Sequence, residues 1–277
     1  MKKNSWILTG LSLLSMPTWA DNDSANDIDI IFYGGLAGGG AYHDAQIDRN
    51  FSSFVTTPSV SPPQPVSQST LPFSGDIHEF AGVGQLQIGA GLRYEFLYLG
   101  IEALGQLSNG DFGSTQGEFD LIGVPAAEFP SSIFKFDSHL QTNDFEPAID
   151  FKPGLFLSDD ILLYGRVGAA WNEVSLSDNA HYDLINHGAL LMDSVTQSEN
   201  VIALRLGLGV EHYLQEQFTI FMDYTYTNYG DVSLTKNNNI SGILEPGGFP
   251  LDFQITDYST ASDINKQVVM LGFNYYL

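Results

Sequence analysis

The sequence predicts an all-β chain, one antiparallel up-and-down transmembrane β-barrel of eight strands, with ten strands as the alternative count. Three observations predict it. Spans of roughly ten residues alternate between apolar and polar positions, the period of a strand with two unlike faces. Their connections alternate between stretches of roughly twenty to thirty residues and turns of about three to five, the rhythm of membrane barrels with long loops at one end. No stretch after the first twenty residues approaches the run of roughly eighteen apolar residues that a spanning helix needs, so any crossing is made by strands.

The start fits export. Lys2 and Lys3, an apolar run from Trp6 to Met16, and Thr18-Trp19-Ala20 read as a signal peptide over residues 1–20, cleaved before Asp21. Ser12, Ser15 and Pro17 interrupt that run as a retained anchor. Residues 21–277 are then a single barrel. The chain has no cysteine, which excludes disulfides and thiolate chemistry. Its net charge is −23, and without Lys2 and Lys3 eight bases face 33 acids. Nucleic acid needs a cationic footprint, which this chain lacks.

Taken in order, Asp21 to Asp29 is a polar lead-in and Ile30 to Tyr42 a glycine-thinned first strand. No Gly-Lys pair follows its glycines, so they are spacing residues and not a phosphate loop. His43 to Gly75, holding Pro58-Ser-Val-Ser-Pro-Pro-Gln-Pro65, reads as a long loop. Ile77 to Arg93 alternates, and after Tyr94, Glu95 and Phe96 a third strand runs from Leu97 to Gln106. Asn109 to Ser138 is a second long loop. Phe119–Val124 and Ile133–Phe136 within it could add a hairpin, giving ten strands.

The fourth strand, Phe145 to Leu155, carries Pro147 and Pro153, which are unwelcome in a central strand. A tight turn at Ser158-Asp-Asp160 leads to Ile161–Leu176. Ser177 to Gln197 reads as a loop with a helical turn near Leu184–Met192. Val201 to Tyr213, a turn at Gln215-Glu-Gln217, and Phe218 to Gly230 follow. Asp231 to Ser262 is the last long loop, and Asn265 to Leu277 the closing strand.

On strands two to eight one face is nearly uncharged. The other collects Arg93, Glu102, Glu146, Asp150, Lys152, Arg166, Arg205, Glu211, Asp223 and Lys266, five bases and five acids. A charge facing hydrocarbon at mid-depth costs about 2–4 kcal/mol, so this set is expected inside the barrel as a paired lumen network. An eight-stranded barrel is just wide enough to be filled by side chains. With Tyr98, Tyr164, Gln85, Gln87, Gln106 and Asn172 on the same faces, a plugged lumen follows.

Phe32-Tyr-Gly-Gly35, Gly89-Ala-Gly-Leu-Arg-Tyr-Glu-Phe96, Asp223-Tyr-Thr-Tyr-Thr-Asn-Tyr-Gly230 and Gly272-Phe-Asn-Tyr-Tyr276 give the chain a family likeness. It resembles the eight-stranded barrels of the OmpA transmembrane domain and the opacity or surface-antigen family. The resemblance implies an outer-membrane location in a Gram-negative-type envelope, with short turns facing the periplasm and long loops facing out. It implies a closing strand whose Val269, Leu271, Phe273, Tyr275 and Leu277 form the tag read by the barrel-assembly machinery. The family usually ends in Phe or Trp, and Leu277 departs from that. The peptidoglycan-binding domain of OmpA is not expected. Outer-membrane lipid and lipopolysaccharide are the implied surroundings, and host or surface ligands of the acidic loops the implied partners.

Enzyme chemistry on lipid would need a Ser or water activated by His. His43, His78, His139, His181, His187 and His212 lie in predicted loops or near strand ends, and no catalytic residue is assigned. His181 and His187 with Asp178 and Asp183 match no zinc spacing, and Asp111, Glu118, Asp120, Asp231, Glu245, Asp252 and Asp257 no calcium loop. No metal or cofactor is expected. The expected role is structural and adhesive or antigen-like, with a small porin or narrow ion channel as the alternative and a lipid-modifying enzyme third.

Overall fold

A computed structural model of the chain describes residues 28–57, 64–120, 132–184, 190–215, 217–242 and 251–277. The expected signal peptide lies outside the described residues. Ten strands form: β1 (Asp29–Thr57), β2 (Gln64–Tyr94), β3 (Leu97–Ser108), β4 (Asp111–Asp120), β5 (Ser132–Thr142), β6 (Phe145–Ser158), β7 (Ile161–Leu184), β8 (Leu190–Gln215), β9 (Phe218–Gly242) and β10 (Leu251–Tyr276). Eight of them close an antiparallel ring in the order β1-β2-β3-β6-β7-β8-β9-β10. The ring shuts where β1 meets β10, from Tyr33↔Tyr276 to Thr56↔Asp252. In the lower half each strand of the ring is paired on both sides, the answer closed barrels give to unpaired backbone. Toward the long hairpins, β2 from Gln64 to Gly82 pairs with β1 alone and β8 from Leu190 to Ala203 with β7 alone.

The extra hairpin does not widen the ring. β4 continues β3 past Asn109 and Gly110, and β5 runs into β6 past Asn143 and Asp144. Bonds from Ser108 N–H to Asp144 C=O (2.9 Å) and Thr142 N–H to Gly110 C=O (2.6 Å) carry the ladder across. β5 then pairs with the far half of β7, from Thr142↔Val174 to Ser132↔Leu184, where β6 no longer reaches.

The four stretches read as loops are therefore mostly strand. His43–Thr57 and Gln64–Gly75 pair as β1 and β2. Within 109–138, β4 and β5 pair from Asp111↔Gln141 to Asp120↔Ile133. β7 and β8 pair up to Asp183↔Leu190, so Leu190–Met192 is strand and not helix. β9 and β10 pair up to Gly242↔Leu251. The tips at 58–63, 121–131, 185–189 and 243–250 lie outside the described residues. Each hairpin extends a ladder already nucleated below it, so weak local β propensity is overridden by pairing.

One inversion organises the molecule. Along β7 the outward residues are Leu163, Val167, Ala169 and Trp171, then Glu173, Ser175 and Ser177; the inward ones are Tyr164, Arg166 and Asn172, then Val174 and Leu176. The alternation never breaks, but the greasy side changes from outside to inside. The outward apolar run Leu163–Trp171 spans roughly 20 Å at about 3.3 Å per residue and ~40° tilt, close to a membrane barrel's apolar band. Tyr42, Phe80, Phe145, Trp171 and Tyr226 ring its upper margin and Tyr94, Phe96, Phe218 and Tyr275 its lower one. Above that band β7 continues for thirteen residues, an extension on the order of 30 Å tall.

Candidate functional site

The chemistry-bearing residues are stacked in tiers inside the barrel. At the short-turn end lies an aromatic floor. Tyr33 and Tyr213 each pack on Tyr276, with ring centroids 5.2 Å and 5.3 Å apart, and Phe156 joins Tyr213 at 5.8 Å. Arg93 belongs to this mouth and not to the network above. It is part-exposed, stacks on Phe156 at 4.1 Å and reaches Asp159 at 3.8 Å. It is the second residue before the Glu95–Phe96 turn, which Glu95 closes with φ 51°. There the chain is too near water to bury a guanidinium.

The other nine charged residues are all buried and form one connected network. Arg166 bridges Glu102, Asp150 (3.2 Å) and Asp223 (2.8 Å). Arg205 joins Asp150 (3.2 Å) to Glu146 (3.6 Å), and Lys266 caps Glu146 at 2.7 Å. Lys152 ties Glu102 (3.8 Å) to Glu211 (3.2 Å) and lies 3.9 Å from the centre of the Tyr164 ring. With Arg93 at the mouth, five acids share four bases. Tyrosines offset the shortfall: Tyr33 donates to Glu102 (2.8 Å), Tyr276 to Glu211 (2.6 Å), Tyr164 to Asp223 and Tyr229 to Glu146. A phenol on each of four carboxylates satisfies lone pairs that the missing cation leaves open.

Amides fill the uncharged flank. Gln106 donates to Gln85 (2.8 Å), Gln85 to Gln87, Gln87 to Asn274 (2.8 Å) and Asn274 to Glu211 (2.8 Å). Directed donor to acceptor, this chain ends on a carboxylate, where its dipoles favour the negative charge.

Above the ions comes an apolar tier that the sequence reading missed: Ile47, Phe112, Leu140, Val174, Leu176, Val232 and Ile264 pack together, all buried. Higher still, Ser138 and Ser259 donate to the two carboxylate oxygens of buried Asp178, and Arg49 lies 3.8 Å from it. Asp178 is therefore engaged within the wall and is no free metal ligand. His187 lies outside the described residues.

The described histidines do not gather. His43 is buried, stacked on Phe112 at 4.6 Å, with Nδ1 2.7 Å from the Asp111 carbonyl. His212 Nδ1 lies 3.2 Å from the Asp160 carbonyl, at the opposite end. His139 stands across from Ser114 in the β4–β5 register and 3.6 Å from Asp111. That trio is on the outer wall of the extension, in the open.

No curated protein matches the sequence. Among solved structures, the outer membrane protease OmpT of Escherichia coli aligns over 92% of this chain and 100% of its own at 10% identity, TM-score 0.31. The attachment invasion locus protein of Yersinia pestis aligns over 86% and 99% at 12% identity, TM-score 0.26. Neisserial surface protein A aligns over 86% and 97% at 14% identity, TM-score 0.28. The profile of the outer membrane protein beta-barrel domain matches residues 7–276, nearly the whole sequence. The closed ring accords with that match, and the chain belongs to the outer membrane protein beta-barrel domain family.

Proposed function

We propose that this outer-membrane barrel is a closed anchor that presents its long β extension for contacts at the cell surface, adhesive or antigen-like in kind, and not a pore or an enzyme. One observation carries the reading. The barrel bore is occupied in succession by the aromatic floor, the ionic network and the apolar tier from Ile47 to Ile264. An ion crossing it would have to break buried pairs and then enter an apolar layer, where an uncompensated charge is very costly. Outward side chains of the extension, Asp44, Gln46, Asp48, Glu118 and Asp231 among them, are polar or acidic and available to a partner. The rigid wall presents them; recognition resides in them and in the tips.

Against enzyme chemistry stands the arrangement of Ser114, His139 and Asp111. Among the described residues no hydrogen bond joins the serine to the histidine, and the exposed Ser114 and part-exposed His139 and Asp111 stand on the outer wall, where water competes with any oxyanion donor. Assembly follows the same reading: Val269, Leu271, Phe273, Tyr275 and Leu277 form the outward edge pattern offered to the barrel-assembly machinery. Lipopolysaccharide is the proposed outer surrounding.

Planar-bilayer recording tests the closed lumen. We expect no steady conductance, and a nanosiemens-scale open state would overturn the reading. Shortening the four hairpins to the boundary should leave insertion intact and abolish binding to host or cell surfaces. Undiminished binding would remove the adhesive role, and altered lipid A acylation in producing cells would restore the enzyme.

A further inference from the structure

Where β5 gives way to β6, the wall does not match across to β7. Pairing with β5 ends at Thr142↔Val174 and pairing with β6 begins at Ala148↔Ala170, so the five residues 143–147 oppose the three residues 171–173. One backbone bond crosses, from Asn143 N–H to Glu173 C=O at 3.2 Å. The Asn172 carboxamide stitches the rest, accepting from Asn143 N–H (3.0 Å) and Glu173 N–H (2.8 Å) and donating to Glu146 (3.2 Å). Pro147 has no N–H to offer. The Phe145 ring is drawn to the opposite side, over the bare backbone of Gly105, where an added methyl would come within 2.7 Å of it.

What remains is an open hollow of about 470 Å³ on the outside of the barrel. Its lower wall is Phe145, Pro147, Trp171 and Ile202; its upper wall is Asn143, Glu173 and Asn200. The hollow is continuous with the lipid-facing belt, since Ile202 is 71% and Phe145 55% exposed. Its apolar and polar walls follow the same order as a lipid's chain and headgroup. No lysine or arginine lines it, and the Glu173 carboxylate opposes a phosphate, whereas amides and a carboxylate together match hydroxyl donors and acceptors.

We propose that this hollow holds one lipid of the adjacent leaflet by the hydroxyls of a sugar headgroup and not by a phosphate, with an acyl chain lying on Phe145, Trp171 and Ile202. This goes beyond the surface-contact reading and needs only the membrane placement. Trp171 is the natural reporter, because the other two tryptophans, Trp6 and Trp19, can be replaced by Phe. The full chain so changed would be refolded into phosphatidylcholine vesicles doped with lipids brominated on their acyl chains. One series would carry glucosyl diacylglycerol and the other phosphatidylglycerol. The proposal expects half-maximal quenching at about fivefold lower mole fraction for the glucosyl lipid, the size of one net hydrogen bond. Asn200→Leu and Asn143→Leu, each checked for an intact heat-shifted barrel, should erase that difference. Equal quenching by both lipids, a preference for phosphatidylglycerol, or a difference that survives in the folded variants would overturn it.

Discussion

At the scale of single residues, the lumen separates buried charges from those that touch water. Arg166 serves three carboxylates at once, so Arg166→Met strands Glu102, Asp150 and Asp223 with fewer cations. We expect a loss of about 3–5 kcal/mol, read as the urea midpoint for unfolding from vesicles. Tyr33→Phe removes a single phenol bond to Glu102 and should cost about 1–2 kcal/mol. Arg93→Met should cost under about 1 kcal/mol, because its partner Asp159 is fully in water. The buried ionic residues were legible because a charge on a lipid-bathed span has only one side to occupy. Of their four phenol partners only Tyr164 was legible on that inward face. Tyr33, Tyr229 and Tyr276 look like any barrel tyrosine, and nothing local tells a girdle tyrosine from one aimed at a carboxylate. Arg49 and Asp178 were hidden for a different reason: both fell in segments read as loops, where inward and outward have no meaning.

At the scale of elements, those segments misled because their hydrophobic residues changed sides. Ala45 and Ile47 continue β1 in perfect alternation, both buried. Judged by the rule that apolar means outward, however, they look out of phase, and the surrounding Asp and Ser complete the impression of a loop. Pro72 and Gly75 in β2 and the proline-rich approach to Gln64 deepened it. The extension instead has its own small core, and Phe112→Ala should remove about 3–5 kcal/mol from that core alone. Proteinase K applied to proteoliposomes should then cut within the extension while the membrane half, nicked but still closed, keeps its heat-shifted mobility on an unboiled gel. The proline question in β6 also resolves by element. Its register with β3 runs unbroken past Leu99↔Pro153 and Gly105↔Pro147, whereas its register with β7 skips 152–153 and stops before 147. The missing donors fall on the β7 side. Backbone amides of residues 171–173 should accordingly exchange hydrogen faster than those of residues 269–273 in the β1–β10 seam.

For the molecule as a whole, eight ladders and one closure were written in the rhythm of the sequence, and the height of the barrel was not. Period two reports which residues share a face, but it cannot say what bathes that face. A solvated wall over an apolar core and a lipid-bathed wall over an ionic core read alike, with the labels exchanged. Because the ionic network lies below the extension, cutting the hairpins back to the boundary should leave the bore shut. Conductance below the nanosiemens range from such a trimmed barrel checks this. The inversion at the membrane boundary also bears on how pairing is kept honest during assembly. A strand slipped by one residue would turn Arg166 or Arg205 toward acyl chains and, in the same movement, turn Val174 or Val232 toward water. Two solvents thus proofread the same register from opposite ends, and a misaligned hairpin finds no depth at which its error is forgiven.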